Sequence, residues 1–390
     1  MKTFFITTKK KFLNLKFFSI FGKNFSAKWF GHLVEEEVEI PKPKDNELLL
    51  KTMACGICGT DIDKLLNPNK IKSININSNK RLNKHYLGHE IVAKVIDSGS
   101  PENKSLIGKK VIIGDINVCK SFNIVPECDN CNKKRGIYCT NKHKRTFNKY
   151  SYGGFSEYFL RSKHQCLVIP SDLNANNAVF IEPLSTAINC YRNCKDKNKI
   201  LINGLTTISV LLYRTLINYK FNKNNIFFRV FNKIQKDKAM DIGINLFYEI
   251  ENNRPTHLND FDTTIDFTGK SDEIKKFVNI SKPNSEILLF GMDSDNLNID
   301  FNQLIHKGIN VQGIHGYSSE NTKDGYQSDL ETAKNLIYSK EILVEDLISE
   351  VEKLPYTKKF LQKISLSASG LFNKNIVHSD YKFRSILSNE

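Results

Sequence analysis

The apolar pattern of this chain changes character near residue 182, and that change constrains the fold more than any single motif. Before it, apolar residues come in short runs broken by proline and glycine. Val38, Ile40 and Leu48-Leu49-Leu50 are separated by Pro41 and Pro43. Val92-Ala93-Lys94-Val95-Ile96 and Lys110-Val111-Ile112-Ile113-Gly114 follow, and then Gly153-Gly154-Phe155 leads into Tyr158-Phe159-Leu160. Runs of this length between turn residues predict β-strands, so the first part is an all-β-leaning domain. After residue 182 the expected strands at 199–204, 225–231, 262–267 and 287–291 alternate with helical stretches at 208–216 and 236–242. That alternation predicts a parallel sheet with crossover helices, an α/β class overall. Residues 329–352 read as a helix packing back on the first domain, and the Lys/Asn-rich stretch 65–83 as an exposed loop.

A length of 390 residues exceeds what one core usually holds, which makes two domains the natural reading. The formal charge is +15, yet Lys and Asn are scattered over nearly every segment with no aromatic-interleaved basic stripe. Compositional bias therefore explains the charge better than a nucleic-acid footprint, although the field favours a small anionic ligand. Nine cysteines in a chain of this size argue for metal binding rather than a disulfide framework, and so for a reducing, cytoplasmic setting. No run approaches the ~18–20 apolar residues of a membrane span. The first 34 residues hold no Asp or Glu and no Arg. We read residues 1–26 as a basic N-terminal extension, since transit peptides are typically Arg- and Ser-rich, and leave organellar targeting open.

Three groups of potential metal ligands stand at ordered positions: Cys55-Gly56-Ile57-Cys58-Gly59-Thr60-Asp61, Gly88-His89-Glu90 and Ile181-Glu182-Pro183-Leu184-Ser185. Together they offer a thiolate, an imidazole and two carboxylates. Structural zinc usually takes four Cys or His ligands, so this mixture suits a zinc that keeps one position open for chemistry. A buried structural cysteine or a satisfied core histidine would explain any one of these residues alone. Their combination resembles the zinc-dependent medium-chain alcohol dehydrogenases. The Ile181–Ser185 segment makes the likeness nearest to the sorbitol, polyol and glucose dehydrogenase branch. The resemblance runs from about Ala27 to about Val377 and includes Gly153-Gly154-Phe155-Ser156-Glu157-Tyr158.

The resemblance implies a GroES-like catalytic domain over 27–186, a Rossmann domain over 187–317 and a return to the catalytic domain over 318–390, with the active site between domains. It implies that Cys58, His89 and Glu90 bind catalytic zinc, with Glu182 joining directly or through water. Thr60 would contact the substrate hydroxyl. Some relatives carry a His three residues after this Thr where Asp63 stands here, which leaves the proton path beyond Thr60 undefined. Zinc as a Lewis acid would acidify the alcohol, and hydride would pass to a nicotinamide. Cys128, Cys131 and Cys139 match three of the four cysteines that hold a structural zinc in many relatives. The fourth falls at Val125, so Cys119, Glu127 or Asp129 substitutes, or the lobe is empty.

The nucleotide motif is degenerate. Where G-x-G-x-x-G is expected, the chain has Gly204-Leu205-Thr206-Thr207-Ile208-Ser209, with only the first glycine kept. Thr206 adds a side chain where backbone should approach phosphate, although its hydroxyl can bond an oxygen. The acidic residue expected at the end of the second strand is missing, and Arg229, Asn232 and Lys233 flank the spot, which favours NADP over NAD. Thr268, Gly269, Gly291, Met292 and Ile314 lie at later strand ends, where the family meets the nicotinamide half.

The resulting expectation is an NAD(P)-dependent oxidoreductase acting on a secondary alcohol of a sugar, cyclitol or polyol. Its partner would be that small molecule alone, with neither nucleic acid nor membrane, and it would assemble as a dimer or tetramer. L-threonine or a simple alcohol is the alternative substrate. A zinc-binding protein that has lost dinucleotide binding is the alternative of another class, supported by Thr206, Ser209 and the missing acid.

Overall fold

The computed structural model describes residues 1–7, 33–61, 84–114, 118–144, 152–194, 198–247, 250–251, 254–255, 260–291, 299–322, 325–353 and 384–388. The expected loop at 65–83 and most of the basic extension lie outside them. The chain divides into two compact units, Met1–Glu182 with Leu343–Glu390, and Pro183–Ile342.

In the first unit, β1 (Lys2–Thr7) pairs antiparallel with β2 (Leu33–Glu37) and with β4 (Lys84–Tyr86). The start of the expected extension is thus a strand of this small sheet. The larger sheet is built on β3 (Glu47–Gly56), which pairs antiparallel with β5 (Glu90–Ser98) and β7 (Tyr158–Ser162). Beyond β5 come β6 (Lys110–Ile113) and β8 (Cys166–Val168). Leu48, Leu50, Ile91, Val95, Val111, Phe155 and Phe159 form the core beneath it. Between β6 and β7 a lobe of short turns carries the four-residue α1 (Asp129–Asn132). After β8, α2 (Ala175–Ala178) leads to α3 (Ile181–Asn193), which crosses the boundary into the second unit.

The second unit contains a six-stranded parallel sheet in the order β11-β10-β9-β14-β15-β16. Strand β9 (Ile200–Asn203) feeds α4 (Thr207–Asn218), and β10 (Ile226–Arg229) feeds α5 (Lys233–Ile242) and β11 (Asn245–Leu246). The two-residue strands β12 (Ile250–Glu251) and β13 (Arg254–Pro255) form a small ribbon. Then β14 (Phe261–Asp266), α6 (Ser271–Ile280), β15 (Ser281–Leu289), α7 (Phe301–Lys307) and β16 (Asn310–Gly313) complete the sheet. Strands β9 and β14 are buried almost throughout, as the near-continuous apolar runs of a doubly covered parallel sheet require. Phe261, Phe277, Val278 and Ile287 pack with Leu201 in the core.

A hairpin of β17 (Ser319–Thr322) and β18 (Gly325–Ser328) precedes α8 (Asp329–Tyr338). The expected helix over 329–352 is corrected here. Only its first part is helical, and β19 (Ile348–Lys353) is a strand that returns to the first unit, pairing with β20 (Arg384–Ser388). The return therefore begins at Leu343 rather than 318. The reason is a polar tie: Arg192 of α3 donates to buried Asp329 at 2.7 Å, and Ser318 N–H donates to the same carboxylate. That pair holds the hairpin and α8 in the second unit.

Candidate metal centre and nucleotide-binding turn

Strand register explains how ligands distant in sequence converge. Gly56 of β3 stands opposite Glu90 of β5, so Cys58, two residues past the end of β3, meets His89 and Glu90 at the start of β5. One donor atom from each of Cys58, His89 and Glu90 lies within 4.8 Å of the others. Glu90 is fully buried, which only a bound cation or close polar neighbours would make tolerable for a carboxylate. A Cβ on Gly56 would stand 2.1 Å from Glu90 Oε2, so the glycine makes room for the carboxylate. Glycines 88, 153 and 154 are packed as tightly: a Cβ on Gly153 would meet Leu87 O at 1.9 Å. Hydrogen bonds from Gly154 N to Gly88 O and from Phe155 N to Leu87 O clamp the Gly-Gly-Phe segment onto the His89 loop.

Asp61 closes the first motif, and the fold turns its carboxylate toward both ligand loops. Its side chain is 1% exposed, accepts from Cys58 N and from Gly88 N at 3.1 Å each, and lies 3.6 Å from His89 Nδ1. One carboxylate thus ties both ligand loops together and fixes the imidazole, as partners behind metal-bound histidines do. Burial pushes the His89 pKa down, but the Asp61 carboxylate and the Cys58 sulfur outweigh it and hold it well above the ordinary value. Thr60 Oγ1 is buried and makes no hydrogen bond among the described residues. An idle hydroxyl two residues from Cys58 suits a substrate oxygen. Glu182, half-buried in the first turn of α3, is not part of the close trio.

In the lobe between β6 and β7, the fourth cysteine is Cys119. Donor atoms of Cys119, Cys128, Cys131 and Cys139 all lie within 4.8 Å of one another. Cys119 Sγ is 3.7 Å and Cys128 Sγ 3.8 Å from Cys139 Sγ. Four thiolates bound to zinc at about 2.3 Å stand about 3.8 Å apart at the corners of a tetrahedron, so the sulfurs are spaced for the ion. Val125, the slot expected from spacing, is 88% exposed and points away from any such role. Backbone N–H groups favour thiolate charge here: Cys119 N donates to Cys131 Sγ at 3.4 Å and Cys128 N to Cys119 Sγ at 3.5 Å. Although burial raises it, hydrogen bonds from Cys131 and Thr140 bring the Cys128 pKa down to about 5.

In the second unit, Gly204 has φ +96°, a conformation open to glycine, and its N–H donates to Arg229 O at 3.1 Å. The altered positions of the motif bond to each other. Thr206 N donates to Ser209 Oγ at 2.7 Å and Ser209 N to Thr206 Oγ1 at 3.1 Å, a capping box at the start of α4. The Thr206 hydroxyl expected to reach phosphate is thus spent on the cap, while strand, turn and helix keep the form of a nucleotide turn. Thr207 and Leu205 are buried beside it. Buried Asp266 gathers the later strand ends, accepting from Asn203 Nδ2, Thr268 Oγ1 and Gly269 N. A Cβ on Gly291 would meet Gly269 N at 2.1 Å, and one on Gly204 would meet Thr268 Cγ2 at 2.9 Å, so these four expected residues are neighbours. Ile314 is buried and donates to Leu289 O, whereas Met292 lies outside the described residues. Asn232 caps α5 by accepting from Gln235 N, and exposed Lys233 opens that helix. Arg229, expected to meet a 2′-phosphate, is ion-paired with Glu273.

Residues 44–171 match the model of the alcohol dehydrogenase GroES-like domain, a span holding every metal-ligand candidate except Glu182. The first unit carries this GroES-like domain, and the chain as a whole is similar to medium-chain dehydrogenases. It is 26% identical to an L-threonine 3-dehydrogenase of Stenotrophomonas maltophilia over 72% of its length and 80% of that protein's. Its fold is that of acetophenone reductase from Geotrichum candidum in complex with NAD, with TM-score 0.73 at 17% identity over 100% of this chain and 97% of that one. Galactitol-1-phosphate dehydrogenase from Escherichia coli matches with TM-score 0.69 at 18% identity, covering each chain fully at 100%. The solved structures of this fold include a zinc-binding dehydrogenase from Sinorhizobium meliloti bound to NADP, with TM-score 0.69 at 19% identity over 92% of this chain and 96% of that one, and the donor sets above fit zinc at both clusters.

Proposed function

We propose that this dehydrogenase transfers hydride between a secondary alcohol of a small polar molecule and NAD(P). The observation that carries the proposal is the trio of thiolate, imidazole and carboxylate in Cys58, His89 and Glu90, drawn together under the Asp61 carboxylate. Bound there, zinc supplies Lewis acidity that lowers the pKa of an alcohol, and the nicotinamide supplies the hydride acceptor. The chain's own residues do the rest. Cys58, His89 and Glu90 would hold the ion, with Glu182 contributing from the start of α3. Asp61 keeps His89 oriented, and the Thr60 hydroxyl would accept a hydrogen bond from the alcohol. In the second unit, the Gly204 turn and the Asp266-anchored strand ends seat the dinucleotide.

A secondary alcohol is the chemistry shared by L-threonine and by polyols, so the two substrate readings differ in the groups around the hydroxyl. The threonine dehydrogenases among the relatives favour the amino-acid reading, and the polyol-type Ile181–Ser185 segment favours the sugar reading. The test is a panel of L-threonine, sorbitol, galactitol 1-phosphate and butanediol with NAD⁺ and NADP⁺ on zinc-loaded protein. Turnover of any one supports hydride transfer. Absence of both saturable nucleotide binding and turnover of any secondary alcohol would put the zinc-protein reading in its place.

A further inference from the structure

The end of β10 lacks the acid that usually reads the adenosine ribose, yet a carboxylate stands there from another element. Arg229 closes β10 directly beside the nucleotide turn, since its carbonyl accepts from Gly204 N at 3.1 Å. Its guanidinium is not presented to solvent. Arg229 Nη1 lies 2.5 Å from Glu273 Oε2 of α6, and the two side chains are only 12% and 15% exposed. Glu273 Oε1 also lies 3.5 Å from Lys276 Nζ. Two residues past β10 the chain is aromatic: Phe231 has the Arg229 guanidinium 5.6 Å and the Lys270 ammonium 5.1 Å from its ring. Two cations, Arg229 and Lys276, thus stand about the Glu273 carboxylate, and a third, Lys270, shares the Phe231 ring with Arg229.

Resting on the dinucleotide reading above, we propose that Glu273 determines the choice of cofactor, standing in for the missing acid and favouring NADH over NADPH. Its carboxylate is an acceptor available to a ribose hydroxyl. A 2′-phosphate faces two penalties at the same place: it meets the like charge of Glu273, and it must draw Arg229 out of a half-buried pair. Arg229, one of the residues that favour NADP in the sequence, is therefore already answered by a negative charge. Releasing it needs only the loss of that charge.

The test is a set of fluorescence titrations of NADH and NADPH into the zinc-loaded full chain, its Glu273→Gln variant and the Glu273→Gln/Arg229→Gln double variant. The wild type should bind NADH at least about tenfold more tightly than NADPH. Glu273→Gln should move the ratio of dissociation constants toward NADPH by about tenfold or more, the scale of a charge-assisted hydrogen bond, and the double variant should lose that gain. A wild type that prefers NADPH overturns the proposal without any variant. So does a ratio in folded Glu273→Gln that stays within about twofold of wild type. Binding of neither nucleotide by the wild type would instead overturn the dinucleotide reading itself, and the proposal with it.

Discussion

Thr60 and Asp61 are neighbours in sequence with opposite duties. The Thr60 hydroxyl is buried and idle, whereas both oxygens of Asp61 are engaged in tying Cys58, Gly88 and His89. Thr60→Val keeps the shape of the side chain and removes only its proton-handling oxygen. Turnover should fall by about a hundredfold or more with zinc content unchanged, as measured by kcat beside metal analysis. Asp61→Asn should act on the metal instead, weakening zinc at the Cys58 centre by about ten- to a hundredfold in a chelator competition. Equal zinc retention in Asp61→Asn would remove the orienting role. The candidate ligands Cys58, His89 and Glu90 are legible in the sequence because each sits in a recognisable local motif. Asp61 is not, because nothing in a linear pattern shows that a carboxylate turns back to meet a histidine beyond the intervening chain.

At the scale of elements, the lobe between β6 and β7 shows where spacing misleads. Three cysteines, Cys128, Cys131 and Cys139, are legible in the sequence as candidate ligands, and the fourth stays open there among several candidates. A template of tight spacing put the ligand at Val125, but the turn at Cys119–Phe122 brings a more distant sulfur into the cluster through N–H···S hydrogen bonds. Cys119→Ser should lower zinc from about two ions per chain to about one after dialysis against a mild chelator, leaving the Cys58 centre loaded. A variant that retains both ions would show that Cys119 is not a ligand. Strands β9, β10 and β14 and helix α4 were placed within a residue or two, since a parallel sheet demands apolar strands wherever it lies. Strand β19 lies where the sequence predicts helix because its strand form depends on a partner, β20, that no local window contains.

Across the whole molecule, chemistry is divided between the units. Both metal clusters belong to the first unit and the nucleotide turn to the second. Ligands stabilise what they bind, by about 2.7 kcal/mol at a concentration a hundred times the dissociation constant. Calorimetry should therefore show that chelation lowers the unfolding of the first unit, while reduced nucleotide raises that of the second. A single transition moved alike by both treatments would mean that the units unfold as one. Two domains were legible from length and periodicity, but their seam was not. The expected return at 318 moved to Leu343 because the buried Arg192–Asp329 pair keeps α8 with the parallel sheet.

Strand β20 pairs with β3 so that Ile386 faces Gly56 and Leu387 faces Cys55, just ahead of the ligand Cys58. Almost the whole described chain separates these partners. During synthesis on a ribosome, β3 emerges early and waits for this neighbour until the far end has been translated. A product of premature termination would carry both cysteine-bearing clusters and the entire nucleotide turn, yet leave the edge of β3 beside Cys58 without β20. Such a fragment would be open to pairing with another unfinished chain, so for this protein quality control and catalysis meet at the same strand.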